Sequence, residues 1–188
     1  MILLLAFDVP GEIKNKLKAT CAPLQGIAEN TEWNTVDQMH IPVAYIGDVP
    51  ASFLHHVRDA IGRAMADVQQ AEFRARGLGF FGSRRYMSSV WCGIQPEDDL
   101  KALHEHLWDY LRKLGYRPSH GEAFFPRINL AFCKGRTRNE KLVDALAPHE
   151  NELFGTWTPS ALSLMEQMKG PKGPRYKTLQ RFLLQYPA

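Results

Sequence analysis

Cysteine is scarce in this chain, and the three residues present, Cys21, Cys92 and Cys133, form no Cys-x-x-Cys pair. An odd, scattered set neither frames a disulfide scaffold nor builds a thiolate zinc site. Long apolar runs are missing as well. None approaches the ~20 residues that a membrane-spanning helix needs. The apolar opening, Met1 to Phe7, lacks a basic leader and meets Asp8 too early for a secretory signal. The expectation is a cytoplasmic monomer that does not engage a membrane. Repeat arrays, low-complexity tracts and long linkers are also absent, which argues against solenoids and tethered modules. The glycine-rich stretch Gly77 to Gly82 runs into basic residues and a strand, not into a helix opened by Lys-Ser or Lys-Thr, so it is not a phosphate loop.

What is present is an ordinary globular composition, 45% hydrophobic and 23% charged over 188 residues. That length suffices for a sizeable core, and residues 1–188 read as one domain of two small lobes. The net charge is only +3, but the basic residues are bunched. Arg74, Arg76, Arg84 and Arg85 lie mid-chain; Lys169, Lys172, Arg175, Lys177 and Arg181 lie near the end. Such clusters suit a phosphate-bearing partner, although a solvated basic face is the commoner reason for either one alone.

Strands and helices alternate along the chain. Ile2 to Phe7 reads as a buried strand, followed by a helix behind Pro10 with Ile13, Leu17 and Cys21 at helical spacing. A polar linker from Gly26 leads to His40-Ile41-Pro42-Val43-Ala44-Tyr45-Ile46, a strand with a histidine at its head. Ser52 reads as the cap of a helix carrying Phe53, Val57, Ile61 and Met65. Strands over Ala71 to Arg76 and Tyr86 to Ile94 precede a helix carrying Leu100, Leu103, Leu107 and Leu111. Phe125 to Phe132 is a second strand of the His40 type, and Ala161 to Met168 and Tyr176 to Leu184 flank a Gly-Pro loop. The pattern predicts an α+β fold. His104 and His106 diverge by about 200° around a helix and cannot grip one metal ion. They and the adjacent pair His55 and His56 read as surface or boundary residues, and no metal site is expected.

The two halves echo each other. His40 lies 30 residues beyond Pro10, and Arg127 lies 31 beyond Pro96, each proline opening an acidic helix start after a strand. The order of elements predicts two lobes related by a pseudo-twofold axis, with His40 and Arg127 facing each other on central strands across one cleft.

The opening strand with its Asp-Val-Pro turn, His40 to Val49, Gly77 to Arg85, Phe125 to Ala131 and the closing Gly173-Pro174-Arg175-Tyr176 together resemble the 2H phosphoesterase superfamily. Within it they resemble the RNA 2′,3′-cyclic phosphodiesterases, also called 2′-5′ RNA ligases. The resemblance implies a bilobal fold of mostly antiparallel sheet backed by helices, with two His-x-Thr-x motifs facing a central cleft. It also implies RNA ends or small cyclic nucleotides as partners and no cofactor. Here the first motif is His40-Ile41-Pro42-Val43 and the second Arg127-Ile128-Asn129-Leu130, so one of four motif side chains remains.

Opening a 2′,3′-cyclic phosphate needs a base for the attacking water and an acid for the departing O3′, roles that two imidazoles near pKa ~6.5 fill well. The motif threonines hold the phosphate oxygens as charge builds. Arg127 cannot shuttle protons, with a pKa above ~12, but it can hold phosphate through charge-assisted bonds. Asn129 can donate where threonine did. Pro42 has no donor, and its missing N–H predicts an unpaired or bulged position. The expected site is therefore His40 as the catalytic residue, Arg127, Asn129, Arg175 and Lys172 on phosphate, and Tyr176 and Phe81 as base-stacking rings. Weak or altered hydrolysis and catalysis-free capture of RNA 3′ ends or nucleotide phosphates both fit this pattern.

Overall fold

The computed structural model describes residues 1–27, 30–118, 123–135, 138–171 and 173–187; Lys172 lies outside the described residues. The first strand, β1 (Ile2–Asp8), buries Leu3 through Phe7 without interruption, as a strand covered on both faces does. Helix α1 (Gly11–Cys21) starts behind Pro10 and buries Ile13, Leu17 and Cys21 as one stripe. The linker after it carries a short strand, β2 (Thr31–Trp33), that its polar composition does not announce. Then come β3 (His40–Asp48) and α2 (Leu54–Met65). Ser52 is not the cap of α2: a 3-10 turn over Ala51–Phe53 leads into the helix, Phe53 stays exposed, and the buried stripe is Val57, Ile61 and Met65.

Ala71 to Gly82 does not divide into a strand and a connection. It is one strand, β4 (Phe73–Gly82), with an irregularity between Ala75 and Leu78. The remaining elements are β5 (Met87–Gln95), α3 (Glu97–Lys113), β6 (Arg127–Cys133), α4 (Glu140–Leu146), β7 (Leu153–Trp157), β8 (Ala161–Met168) and β9 (Arg175–Leu183). Of these β7 escapes sequence reading, because Leu153-Phe154-Gly155-Thr156-Trp157 is short and interrupted by glycine. That glycine is required: a Cβ at Gly155 would sit 2.7 Å from the Ile13 side chain of α1.

The architecture is α+β, with two antiparallel sheets ordered β3-β1-β8-β9 and β2-β6-β5-β4-β7. The echo between the halves has a definite form in this topology. In each half a strand, a helix and a second strand make an adjacent antiparallel pair: β1, α1, β3 and β5, α3, β6. Each half then sends a later strand into the other half's sheet. Strand β4 joins β5, and β8 joins β1. The lobes are thus not the N- and C-terminal halves but two sheets stitched together by exchange. Strand β3 is an edge strand of its sheet, not a central one, while β6 is flanked by β2 and β5. The two strands touch where the sheets meet.

The four-stranded sheet is strongly curled. In register, His40 sits opposite Asp8 at one end of β1, whereas Tyr176 pairs with Gln167, which pairs with Ile2 at the other end. Yet the His40 and Tyr176 rings lie 4.4 Å apart. Diagonal corners meet only if the sheet coils on itself, the twist natural to strands carried far around. Gln38 fastens this closure, its Nε2 donating to the Pro174 carbonyl at 3.0 Å.

Candidate active site

The two motif strands share an irregularity. Along β1 and β3, Leu5 pairs with Ala44 and Ala6 with Pro42, so Val43 is skipped. Along β5 and β6, Val90 pairs with Ala131 and Trp91 with Asn129, so Leu130 is skipped. Both bulges fall on the fourth residue of the motif. Pro42 stays in register with Ala6, directly beside the bulge that its missing N–H predicts, but Asn129 has an N–H and its motif is bulged all the same. The bulge belongs to the motif geometry, and proline is tolerated within it. Each bulge carbonyl has a partner on the open side. Val43 O accepts from His104 Nδ1 at 2.6 Å, and Leu130 O from the Asn34 backbone N–H at 2.8 Å.

A cleft of about 770 Å³ is lined by His40, Pro42, Arg127, Asn129 and Tyr176 together with Tyr45, His104, Glu105, Trp108 and Phe124. A second recess of about 350 Å³, bounded by Trp33, Asn34, Gln38, Phe132 and Pro174, shares His40, Asn129 and Tyr176 with it. The two hollows meet at those three residues. Another hollow, about 530 Å³ over Gly79, Trp91 and Phe125, excludes the motif side chains.

His40 is half-buried, and burial pushes its imidazole down to about 4, helped by the Lys14 ammonium and opposed by a hydrogen bond with the Gln38 backbone and by Asp8. It is neutral at pH 7. A ring nitrogen bonded to the Gln38 carbonyl carries the hydrogen, which leaves the other as a proton acceptor. Asp8 in turn accepts from Ser163 Oγ at 3.3 Å and lies 3.6 Å from Arg181.

Arg127 is held on three sides. Its Nε donates to Asn129 Oδ1 at 3.0 Å, an Nη donates to the Phe125 carbonyl at 2.9 Å, and the guanidinium lies 4.8 Å over the Phe81 ring. Because Asn129 spends its oxygen on Arg127, its amide NH₂ is the end available as a donor. Phe81 is the floor beneath the cation and packs with Trp91 and Phe125 in an aromatic cluster. Trp91 lies flat against Gly79, where a Cβ would meet the indole at 2.3 Å.

The cleft thus brings together His40, Arg127, Asn129 and Tyr176 of the residues singled out in the sequence. Arg175 is exposed at the head of β9, its side chain turned toward Gly170 and not among the cleft-lining residues. His104 is half-buried, a boundary residue as the sequence suggests, and it is also a cleft wall that the sequence did not single out, its ring stacked on Phe124 at 4.2 Å and 4°. The signal that could have found it is its position on the α3 face next to the buried Leu100, Leu107 and Leu111. His106 bonds the Ala64 carbonyl at the end of α2, and the adjacent His55 and His56 rings lie 3.9 Å apart. No group of three histidine, cysteine, aspartate or glutamate side chains is placed to hold a metal ion among the described residues. No helix there is long and apolar enough to cross a membrane.

The sequence from 16 to 171 matches the family model of the 2′-5′ RNA ligase superfamily. The chain belongs to that superfamily. Two archaeal members are similar along almost the whole chain. An RNA 2′,3′-cyclic phosphodiesterase of Methanothermobacter thermautotrophicus is 23% identical over 96% of this chain and 97% of its own length. One of Archaeoglobus fulgidus is 25% identical over 97% and 99%. The superfamily fold is equally plain in solved structures. The protein TT0787 of Thermus thermophilus superposes with a TM-score of 0.79 at 22% identity, covering 98% of each chain. Escherichia coli LigT complexed with 3′-AMP superposes at 0.76 and 20% identity over 97% of each. Within this superfamily fold the two bulged strands put both motifs into one cleft.

Proposed function

We propose that this chain binds the 2′,3′-cyclic phosphate end of RNA, or a small cyclic nucleotide, in the cleft between its two sheets, and hydrolyses it slowly. The observation that carries the reading is the meeting of His40, Arg127 and Asn129 in one hollow large enough for a nucleotide. Arg127 supplies the fixed positive charge for the phosphate, and the Asn129 NH₂ a neutral donor. His40, neutral and with one nitrogen unprotonated, takes the proton of the attacking water. Relatives named as RNA 2′,3′-cyclic phosphodiesterases and nucleotide complexes of LigT support the substrate class.

Chemistry is slow in this reading because no imidazole stands at position 127 to protonate the departing O3′. Loss of one positioned acid typically costs about 10²- to 10⁴-fold in rate. Capture of the phosphate end without turnover is the second reading, favoured by the rigid seating of Arg127 in place of a titrating group. One sample decides between them. Turnover of a 2′,3′-cyclic mononucleotide to the 2′-phosphate, lost in His40→Ala, supports hydrolysis; tight binding with no product supports capture. Neither binding nor turnover would sink both.

A further inference from the structure

The motif bulges have a second effect. Side chains alternate along a strand, and one extra residue reverses the alternation beyond it. Counted from the head of each motif, the first and third side chains face the open side, and after the bulge the sixth does, not the fifth. Strands β3 and β6 accordingly begin with the same run of exposure, and their sixth residues, Tyr45 and Phe132, are 42% and 47% exposed. Tyr45 lies in the larger cleft, and Phe132 in the recess that adjoins it at His40, Asn129 and Tyr176. A lone exposed aromatic is ordinary on a protein surface. Here two stand at equivalent motif positions, one in each hollow, and no described ring stacks on Phe132. Trp33 and Pro174 wall the recess, and Glu32, its acidic lining residue, is held by Lys134.

We infer that the recess is a subsite for the nucleoside preceding the cyclic end, so that the site takes an RNA chain in preference to a mononucleotide. This rests on the reading of the cleft as a site for the cyclic phosphate. The shape of the ribose sets the directions. In a 2′,3′-cyclic nucleotide the base leaves from C1′, beside C2′, and the 5′ chain leaves through C4′, beside C3′. Base and chain therefore depart on opposite sides of the phosphorus. With the phosphorus at Arg127, the two hollows, which meet at shared residues, offer one space to each. The terminal nucleoside belongs in the larger cleft, which Arg127 lines. The preceding base belongs on Phe132 in the recess, which Arg127 does not line. Stacking on an open ring accepts any base, which suits an RNA end of any sequence.

The test is equilibrium binding to the full chain of three probes: uridine 2′,3′-cyclic phosphate, the diuridine dinucleotide ending in the same group, and inorganic phosphate. The dinucleotide should bind about tenfold more tightly than the mononucleotide, the gain from one stacked base. Phe132→Ala should erase that advantage and leave the mononucleotide and phosphate unchanged, which also shows that the variant is folded. Phe132→Leu, which keeps apolar bulk without a ring, should lose most of the advantage, and Phe132→Tyr should retain it. Equal affinity for the two nucleotides, or a dinucleotide advantage that survives Phe132→Ala, overturns the subsite. So does a loss in Phe132→Ala that falls equally on the mononucleotide, since the ring would then serve the terminal base. Weakened phosphate binding in Arg127→Ala, with no dinucleotide advantage in the native chain, removes only the subsite. Unchanged phosphate binding in Arg127→Ala removes the phosphate reading itself.

Discussion

His104 Nδ1 donates to the carbonyl of Val43 at 2.6 Å, across from the bulge that sets the first motif into the cleft. Strand β3 is an edge strand, and an edge leaves carbonyls in need of partners. Here a side chain of α3 supplies one, tying the helix to the motif strand. His104→Leu removes the donor from a half-buried carbonyl and should destabilise the fold by about 1–3 kcal/mol. His104→Gln, which keeps a donor, should cost less. Denaturant midpoints of the two variants compare them directly, and equal midpoints would show that the bond does not hold β3.

Arg127→Ala should weaken binding of phosphate or a 2′,3′-cyclic nucleotide by about ten- to a hundredfold, the range for a hydrogen bond to a charged group. Arg127→Lys should recover only part of the loss. Lysine keeps the charge but cannot reproduce the planar contacts to Asn129, Phe125 and Phe81. Titration calorimetry reads both variants; affinity untouched by Arg127→Ala removes the residue from the site.

Restoring Arg127→His with Asn129→Thr should raise hydrolysis of a 2′,3′-cyclic phosphate well above that of the native chain, by about 10² or more. Pro42→Thr should add to it. The matching bulge at Leu130 shows that a residue with an N–H fits this motif geometry, so the strand need not change register. His40→Ala in the restored background should abolish the gain. Vigorous hydrolysis by the native chain that survives His40→Ala would place the chemistry elsewhere.

The His40 imidazole should titrate near 4 in the free protein, and its resonance should shift upward in pH when phosphate binds, since an anion favours the charged ring. The folded value lies below the ordinary value of about 6.5. Above that pH neither state gains a proton at this site. As pH falls from about 6.5 toward 4 the unfolded chain binds the proton first, and stability declines by up to about 3 kcal/mol. A His40 resonance titrating near its ordinary value without ligand would contradict the burial assigned to it.

Gly79→Ala places a methyl group where the Trp91 ring now lies, 2.3 Å from the indole. Trp91 must move, and Phe125, packed at 4.7 Å from it, lends its carbonyl to Arg127. The variant should lose about 1–3 kcal/mol of stability and also bind phosphate less tightly than the native chain. Loss of stability with full phosphate affinity would show that the aromatic floor does not position Arg127.

The sequence by itself carried the class of the fold and the two motif strands. Buried strands such as Leu3 to Phe7 and helical stripes such as Ile13, Leu17 and Cys21 are written in periodicity, which burial enforces residue by residue. The paired prolines and the matched spacing to His40 and Arg127 carried the echo between halves. Strand partners are a different matter, because register and exchange depend on contacts far apart in the chain. Nothing local tells β4 to join β5 or β8 to join β1, or makes β3 an edge. The curl that sets Tyr176 against His40 is likewise a property of four strands together. His104 shows the same limit on one side chain. Its helical position was plain, but the carbonyl it serves exists only because β3 is an edge with a bulge at Val43, and that was decided by the tertiary structure alone.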